Sequence, residues 1–358
     1  MVVSRALARS LVRRRGEGAV RRILVAHNLL LGDTLMLTPL LAKLRERHGD
    51  ADITLLAAPS AVPLYQRRPY GVRALAFRPS ESATARALLD EAPYDLAYVI
   101  GDNRYSWLAA AMGSAHVVAH SGDSPWTKDI FVDEQREYSS QPTAWGDMVA
   151  ALADGPPPAP YARGQWMAPD ARPFERPRAP YAVLHVGAST ALKQWLPERW
   201  HELARHLEAR GLGVAWSAGP GEEEIVARCD PGGRYPSYAG RLDLAQLWHL
   251  IEGARLLVAP DTGIAHLGRV VVTPTVAIFG PGSAALCDNG DFWRGAPWRA
   301  VTVAPFECRD QQLLFRRRIE WVRRCTRSTS ECAEPRCMHA IGIDEVVAAA
   351  NSFFGEEL

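Results

Sequence analysis

The chain is predicted to be an α/β protein of two doubly wound domains that face one another across a cleft. Three observations carry this reading. Strand-like and helix-like segments alternate through the N-terminal half, a Pro-rich stretch interrupts them, and the same alternation restarts beyond it. At 358 residues the chain also exceeds what one hydrophobic core normally serves.

In order, the first unit reads as a strand over Ile23 to His27, a helix from Asp33 to about His48, a strand over Ile53 to Ala57 and a helix near Ser60. A strand over Ala74 to Phe77, a helix from Ser80 to Glu91, a strand over Leu96 to Ile100 and a helix near Tyr105 follow. The run from Gly155 through Pro156, Pro157 and Pro158 to Pro180 is the linker. The second unit begins with a strand over Tyr181 to Val186 and a helix from Pro197 to Arg210. Gly213 to Ser217, a helix from about Glu222, and then Asp243 to Glu252 come next. A strand over Arg255 to Ala259, a helix from Thr262 and a strand over Thr275 to Phe279 complete it. Residues 306–337 read as irregular and basic, and Asp344 to Phe354 as a final helix capped by Asp344. The division is therefore 1–21, a basic extension; 22–160, the first domain; 161–179, the linker; 180–305, the second domain; and 306–358, an Arg- and Cys-rich tail with its helix.

Composition bounds the function. With 47% hydrophobic and 23% charged residues and a net charge of +1, the chain reads as globular and not as a general nucleic-acid binder. Its charge is uneven. Arg5, Arg9, Arg13, Arg14, Arg15, Arg21 and Arg22 crowd the start, and Arg309, Arg316, Arg317, Arg318, Arg323, Arg324 and Arg327 crowd the tail. Each cluster is a contact to an anionic membrane or acidic acceptor, or else a solvated surface. Val3, Leu7 and Leu11 recur at helical spacing with Arg5, Arg9 and Arg13, so residues 2–15 make either a basic amphipathic helix on a membrane surface or a frayed tail. No apolar run approaches the roughly 18 residues of a membrane span, and the start lacks a signal-peptide pattern. The expectation is a cytoplasmic protein, peripheral on the inner membrane where the basic helix engages it.

Six cysteines are present, and Cys308, Cys325, Cys332 and Cys337 fall in the tail with no C-x-x-C pair among them. They read as reduced thiols packed in the tail, with a structural metal cluster as the alternative.

Four strand ends carry chemistry. The stretch Leu257 to Arg269 passes from a buried strand through Asp261-Thr262-Gly263 into a helix, so free N–H groups open at the strand's carboxyl edge, where a phosphate would sit. Asp261 and His266 flank that anion site. After the first strand, Leu31-Gly32-Asp33-Thr34 places Asp33 at or near a helix N-terminus. There it is either a plain cap or a general base held at the cleft, and Gly32 permits close backbone approach. The loop His185 to Trp195 contains Ser189 and ends in Lys193, one of only three lysines, with Lys43 and Lys128. A compact ammonium there is either a surface charge or a partner for a phosphate leaving group. Glu222, in Gly219-Pro220-Gly221-Glu222, either favours a helix start electrostatically or accepts ribose hydroxyls. Asp50-Ala51-Asp52 precedes a strand and is read as a turn, and no dinucleotide, nucleophile-elbow or Walker fingerprint occurs.

Taken in order, Leu31-Gly32-Asp33-Thr34 with Thr38-Pro39, His185-Val186-Gly187-Ala188 with Lys193-Gln194-Trp195, Gly219-Pro220-Gly221-Glu222, and Asp261 to His266 with Thr273-Pro274 and Phe279-Gly280-Pro281 resemble glycosyltransferase family 9. These are the bacterial heptosyltransferases of lipopolysaccharide synthesis, and the likeness covers roughly residues 22–282. It implies a GT-B arrangement of two Rossmann-like domains, the first on the acceptor side and the second binding the nucleotide sugar. It further implies inverting transfer without a required metal or other cofactor, typically from ADP-heptose, to a glycan or lipid-linked acceptor. Asp33 would be the catalytic base and Lys193 would stabilise the leaving diphosphate. Glu222 would hold the ribose and Asp261 the sugar, while Thr262, Gly263 and His266 would bracket the phosphates; Gly32, Thr34 and Ser189 complete the expected substrate-binding set. Gly282-Ser283 departs from the Thr-Asp usual in the family at that place. A GT-B nucleotide-sugar epimerase and a non-catalytic nucleotide-sugar-binding protein are the competing classes.

Overall fold

The structure is a computed structural model that describes residues 2–10, 19–178 and 180–354. The first sheet contains β1 (Arg22–Ala26), β2 (Asp52–Ala57), β3 (Val72–Ala76), β4 (Leu96–Val99), β5 (His116–His120) and β6 (Glu134–Arg136). The second contains β7 (Tyr181–His185), β8 (Gly213–Ser217), β9 (Leu256–Pro260), β10 (Thr275–Ile278) and β11 (Trp298–Val301). Every pairing in both sheets is parallel. Strands such as β7 and β9 are buried along their whole length, because helices cover both faces of a parallel sheet.

Strand order decides where a ligand can sit. It is β3-β2-β1-β4-β5-β6 in the first sheet and β11-β10-β9-β7-β8 in the second. Each order reverses once, between β1 and β4 and between β7 and β9, and the loops leaving those strands part to open a crevice at the carboxyl ends. The segments carrying Asp33, Lys193 and Asp261 leave β1, β7 and β9 respectively, all of them strands at a reversal.

Several expected elements change on inspection. The helix expected from Asp33 to His48 is two helices, Leu31–Leu35 and Thr38–Arg47. Pro39 sits in the first turn of the second; were the helix continuous, its ring would meet the Leu35 carbonyl. Asp344 does not cap the last helix: Gly342 does, and Asp344 lies in the first turn of Ile343–Asn351. The segment from Asp243 is a helix, Leu244–Glu252, closed by a capping box between Asp243 and Gln246. β5, β6 and β11 extend the sheets beyond the strands expected.

Among the described residues the Pro-rich segment contains no helix or strand, yet it is packed chain and not a free tether. Trp166 is buried, its indole N–H donating to the Leu64 carbonyl at 2.8 Å, and its ring lies 4.9 Å from Tyr65 and 5.9 Å from Trp248. The Tyr161 hydroxyl donates to the Val270 carbonyl at 2.7 Å. One apolar cluster consequently includes Ile23 and Val25 of the first sheet together with Leu257 and Ala259 of the second.

The tail is a strap across both domains, which corrects the reading of its arginines as one outward-facing cluster. Arg309 is buried in the second domain, donating to the carbonyls of Gly280, Phe279 and Val303 at 2.6 to 3.0 Å. Eight residues further on, Arg317 is buried in the first domain. It donates to the carbonyls of Gly101 and Ser121 and to Asn103 Oδ1, and pairs with Asp123 at 3.4 Å. A turn through Phe315 and Arg316, both at positive φ, joins the short strands Leu313–Leu314 and Arg317–Arg318 between them. Arg316, Arg318 and Arg323 are exposed, and Arg327 pairs with Asp310 at 2.8 Å.

At the other end, Val2–Ser10 is helical, with Ala6 buried and Val3 and Leu7 exposed. Leu11, Arg13, Arg14 and Arg15 lie outside the described residues. No helix among the described residues is long and apolar enough to cross a membrane.

Candidate active site

The two sheets meet through glycine. Gly32 begins the turn carrying Asp33, and Gly263 opens the Gly263–Val270 helix of the second domain. A Cβ on Gly32 would lie 2.9 Å from His266 Cδ2 and 3.2 Å from Gly263 Cα, while one on Gly263 would lie 2.9 Å from the Gly32 nitrogen. Side chains at either position would push the domains apart. Beside this contact lies a cleft of about 850 Å³, lined by Asp33, Lys193, Glu222, Asp261, Thr262 and His266 among others.

Asp33 is partly reached by solvent, and its carboxylate accepts no hydrogen bond among the described residues. Burial first and the nearby Asp261 charge second push its pKa up to about 6, against the lowering influence of Arg324 and Lys193. It is not the helix cap; Leu30 occupies that position without a side-chain bond. A carboxylate held free, raised and facing a cleft is suited to accept a proton.

Across the cleft, Lys193 ends the short 3₁₀ turn Ala191–Lys193 and pairs with Asp261. Its ammonium donates to Asp261 Oδ2 at 2.8 Å and to the Asp261 carbonyl at 2.9 Å. Asp261 itself is fixed by β10, its N–H donating to the Ile278 carbonyl at 2.9 Å. Gly282 leans on this carboxylate so closely that a Cβ would collide with Asp261 Oδ2. The Gly282-Ser283 departure thus leaves Asp261 the room to take its position.

Thr262 is the N-cap of the Gly263–Val270 helix but caps nothing: its Oγ1 is buried without a partner among the described residues. A ligand oxygen arriving there would meet that hydroxyl and the helix's free N–H groups. His266 is buried on the same helix, and desolvation together with Arg269 and Lys193 holds its pKa well below the ordinary value. It is therefore neutral at physiological pH, with its ring 5.8 Å from Trp298. Glu222 bridges two loops, accepting from the Ala188 N–H at 2.9 Å and the Gly219 N–H at 2.6 Å, with Gly187 pressed against it. Ser189 lines the cleft as well. Thr34 does not: it is buried, and its hydroxyl donates to the Leu30 carbonyl at 2.9 Å, so it braces the turn from behind.

The sequence reading missed Cys287 and Arg324, which also line the cleft. Nothing local marks Arg324 out within an arginine-rich run. All six cysteines are free thiols. Cys308, Cys325 and Cys337 lie near Arg309, but the four tail cysteines do not form a set of converging ligand atoms among the described residues. The group that does, within 4.8 Å, is Asp261, His266 and Cys287. There Asp261 is already paired with Lys193, and burial raises the Cys287 pKa.

Two outcomes follow from this geometry. Gly32→Ala should lower stability by about 1–3 kcal/mol by overpacking the domain contact, measured as a fall in denaturation midpoint. The raised pKa of Asp33 means that its ionised form opposes folding: the stability it contributes is present below the unfolded value of 3.8 and is lost as pH rises through about 6. Asp33→Asn should therefore be more stable than the parent at pH 8, by about 1–3 kcal/mol, and nearly equal to it at pH 4. A variant destabilised at pH 8 would refute the raised pKa.

With the geometry in place, comparison with known proteins is specific. A family model described as glycosyltransferase family 9 (heptosyltransferase) matches residues 85–289. Lipopolysaccharide heptosyltransferase 1 of Pseudomonas aeruginosa is 31% identical over 207 residues, covering 54% of this chain and 56% of that protein. The aligned part thus spans little more than half of that relative's length. Among solved structures, a glycosyl transferase of family 9 from Veillonella parvula superposes with a TM-score of 0.73 at 16% identity, covering 95% of this chain and 99% of the other. The ADP-heptose lipopolysaccharide heptosyltransferase II of Escherichia coli gives 0.66 at 19% identity, covering 93% and 98%. The fold is the GT-B arrangement of two Rossmann-like domains expected from the sequence. The family match takes in more than half of the chain, including Lys193, Glu222 and the Asp261 to His266 stretch, and the chain belongs to glycosyltransferase family 9 (heptosyltransferase).

Proposed function

We propose that this protein is an inverting glycosyltransferase that moves a heptose from ADP-heptose to a hydroxyl of a lipopolysaccharide or other surface-glycan acceptor. The observation that carries the proposal is the placement of a free carboxylate, Asp33, across one cleft from an ammonium and an open helix N-terminus. The E. coli ADP-heptose lipopolysaccharide heptosyltransferase II shares the whole two-domain frame, which supports the choice of donor.

In this reading the donor lies along the second domain. Glu222 retains lone pairs for ribose hydroxyls while its two backbone donors hold it in place. The diphosphate meets the Thr262 hydroxyl, the Gly263 end of the helix and Lys193, and Asp261 faces the sugar. Asp33 takes the proton of the acceptor hydroxyl as that oxygen attacks the anomeric carbon. The bond from that carbon to the diphosphate oxygen breaks with inversion, and the electron pair leaves with ADP. In this reading Lys193 and the backbone dipoles of the Gly263–Val270 helix stabilise part of the departing charge, with no metal as a required participant. The closed domain contact at Gly32 and Gly263 supplies the orientation that brings base and donor together.

The basic helix Val2–Ser10, with Val3 and Leu7 exposed, supports a second part of the proposal. In that part of the reading the helix rests on the cytoplasmic face of the inner membrane, within reach of a lipid-linked acceptor.

The test is ADP release from ADP-heptose in the presence of acceptor. Turnover should fall on the acid side with an apparent pKa near 6, following Asp33, and Asp33→Asn should reduce it by about a thousandfold or more. Normal turnover in Asp33→Asn would remove the base assignment. Conversion of donor without acceptor would replace transfer with an epimerase reading.

A further inference from the structure

The strap that crosses both domains ends in the cleft. Arg324 lines it, from a backbone position fixed by mutual hydrogen bonds with Gln311 at 3.1 and 3.2 Å. The next residue is pinned too: the Cys325 N–H donates to the Pro281 carbonyl at 2.8 Å, beside the Gly282 that presses on Asp261. Its side chain is therefore delivered to the cleft by chain held at both ends.

Arg324 differs from the other tail arginines with defined contacts. Arg309, Arg317 and Arg327 each spend their donors on carbonyls or carboxylates. Arg324 makes no ion pair or side-chain hydrogen bond among the described residues, and its Nε is buried without a partner. A guanidinium half-enclosed in a cleft with unspent donors is a site for an anion.

Charge counting identifies the kind of anion. Lys193 is already answered by Asp261, so these two and Asp33 together carry a net charge of −1 when Asp33 is ionised. A diphosphate entering that set alone would be repelled. Arg324 brings the set to neutrality and adds a forked donor matched to phosphate oxygens.

We propose that Arg324, supplied by the tail strap, is a binding residue for the diphosphate of the nucleotide-sugar donor. The proposal rests on the function given above, and it assigns to the tail a direct part in donor recognition. Arg324 lies outside the span matched by the family model, so this cation is contributed by a segment separate from that core. Its charge also acts on Asp33, which faces Asp261, Lys193 and Arg324: of these, Asp261 raises the Asp33 pKa and the two cations lower it. Arg324 thereby keeps the base ionised when the donor's negative charge arrives.

The test is calorimetric titration of the full-length protein and its variants with ADP and, separately, with adenosine. Arg324→Gln should weaken ADP binding by about tenfold or more while leaving adenosine affinity unchanged. Arg324→Lys should fall between, keeping the charge but losing the fork. Arg323→Gln, at the exposed neighbouring position, should match the parent. In turnover, Arg324→Gln should move the acid limb to higher pH. Equal losses for ADP and adenosine would show a merely structural role and overturn the proposal. So would ADP affinity unchanged in Arg324→Gln beside a parent that binds ADP. A parent that binds neither ligand would overturn the donor reading itself, and this proposal with it.

Discussion

The contact between Gly32 and Gly263 is the constraint on which the rest of this structure depends. Two parallel sheets with reversals in strand order each offer a crevice at their carboxyl ends, but two crevices make one site only where the ends abut. Here the turn after β1 and the helix start after β9 approach until backbone meets backbone, and neither position has room for a methyl group. Trp166 and Tyr161 of the Pro-rich segment also pack between the domains, Trp166 against Leu64 and Trp248 and Tyr161 against the Val270 carbonyl. The tail strap holds the junction from outside through Arg309 on one domain and Arg317 on the other.

That closeness sets the electrostatics. Asp33 stands free and Asp261 stands paired, so two carboxylates of the same cleft acquire different properties from their surroundings alone. The paired one orients a lysine and the free one is left with a raised pKa. His266, buried beneath them, stays neutral and adds no charge to the balance. Folding such a set costs stability at neutral pH, the expected signature of a site shaped by its chemistry.

Much of this was legible in the sequence, and the reason is local. Asp33, Lys193, Glu222 and the Asp261 to His266 stretch each follow an apolar strand directly, so the period of the chain places them at a carboxyl edge before any contact is known. The break before Thr38 was written in Pro39 and overlooked in favour of leucine periodicity. Thr34 shares the motif of Asp33 but turns away to the Leu30 carbonyl, since adjacent helical residues point in different directions. Strands β6 and β11 escaped because short edge strands carry little apolar signal. The tail was opaque for a deeper reason: whether an arginine faces solvent, a carbonyl or a cleft depends on its partners in the folded chain, which can lie about two hundred residues away. Arg317 and Asn103 are such a pair.

Domain contact through glycine gives Asp33 its character. A ¹³C NMR titration of the Asp33 carboxyl, in the parent and in Gly263→Ala, measures this directly. The midpoint should lie near 6 in the parent and fall toward the ordinary carboxylate value once the added methyl group separates the domains. A parent midpoint near 4, or a midpoint of 6 that Gly263→Ala leaves unmoved, would contradict this dependence on the domain contact.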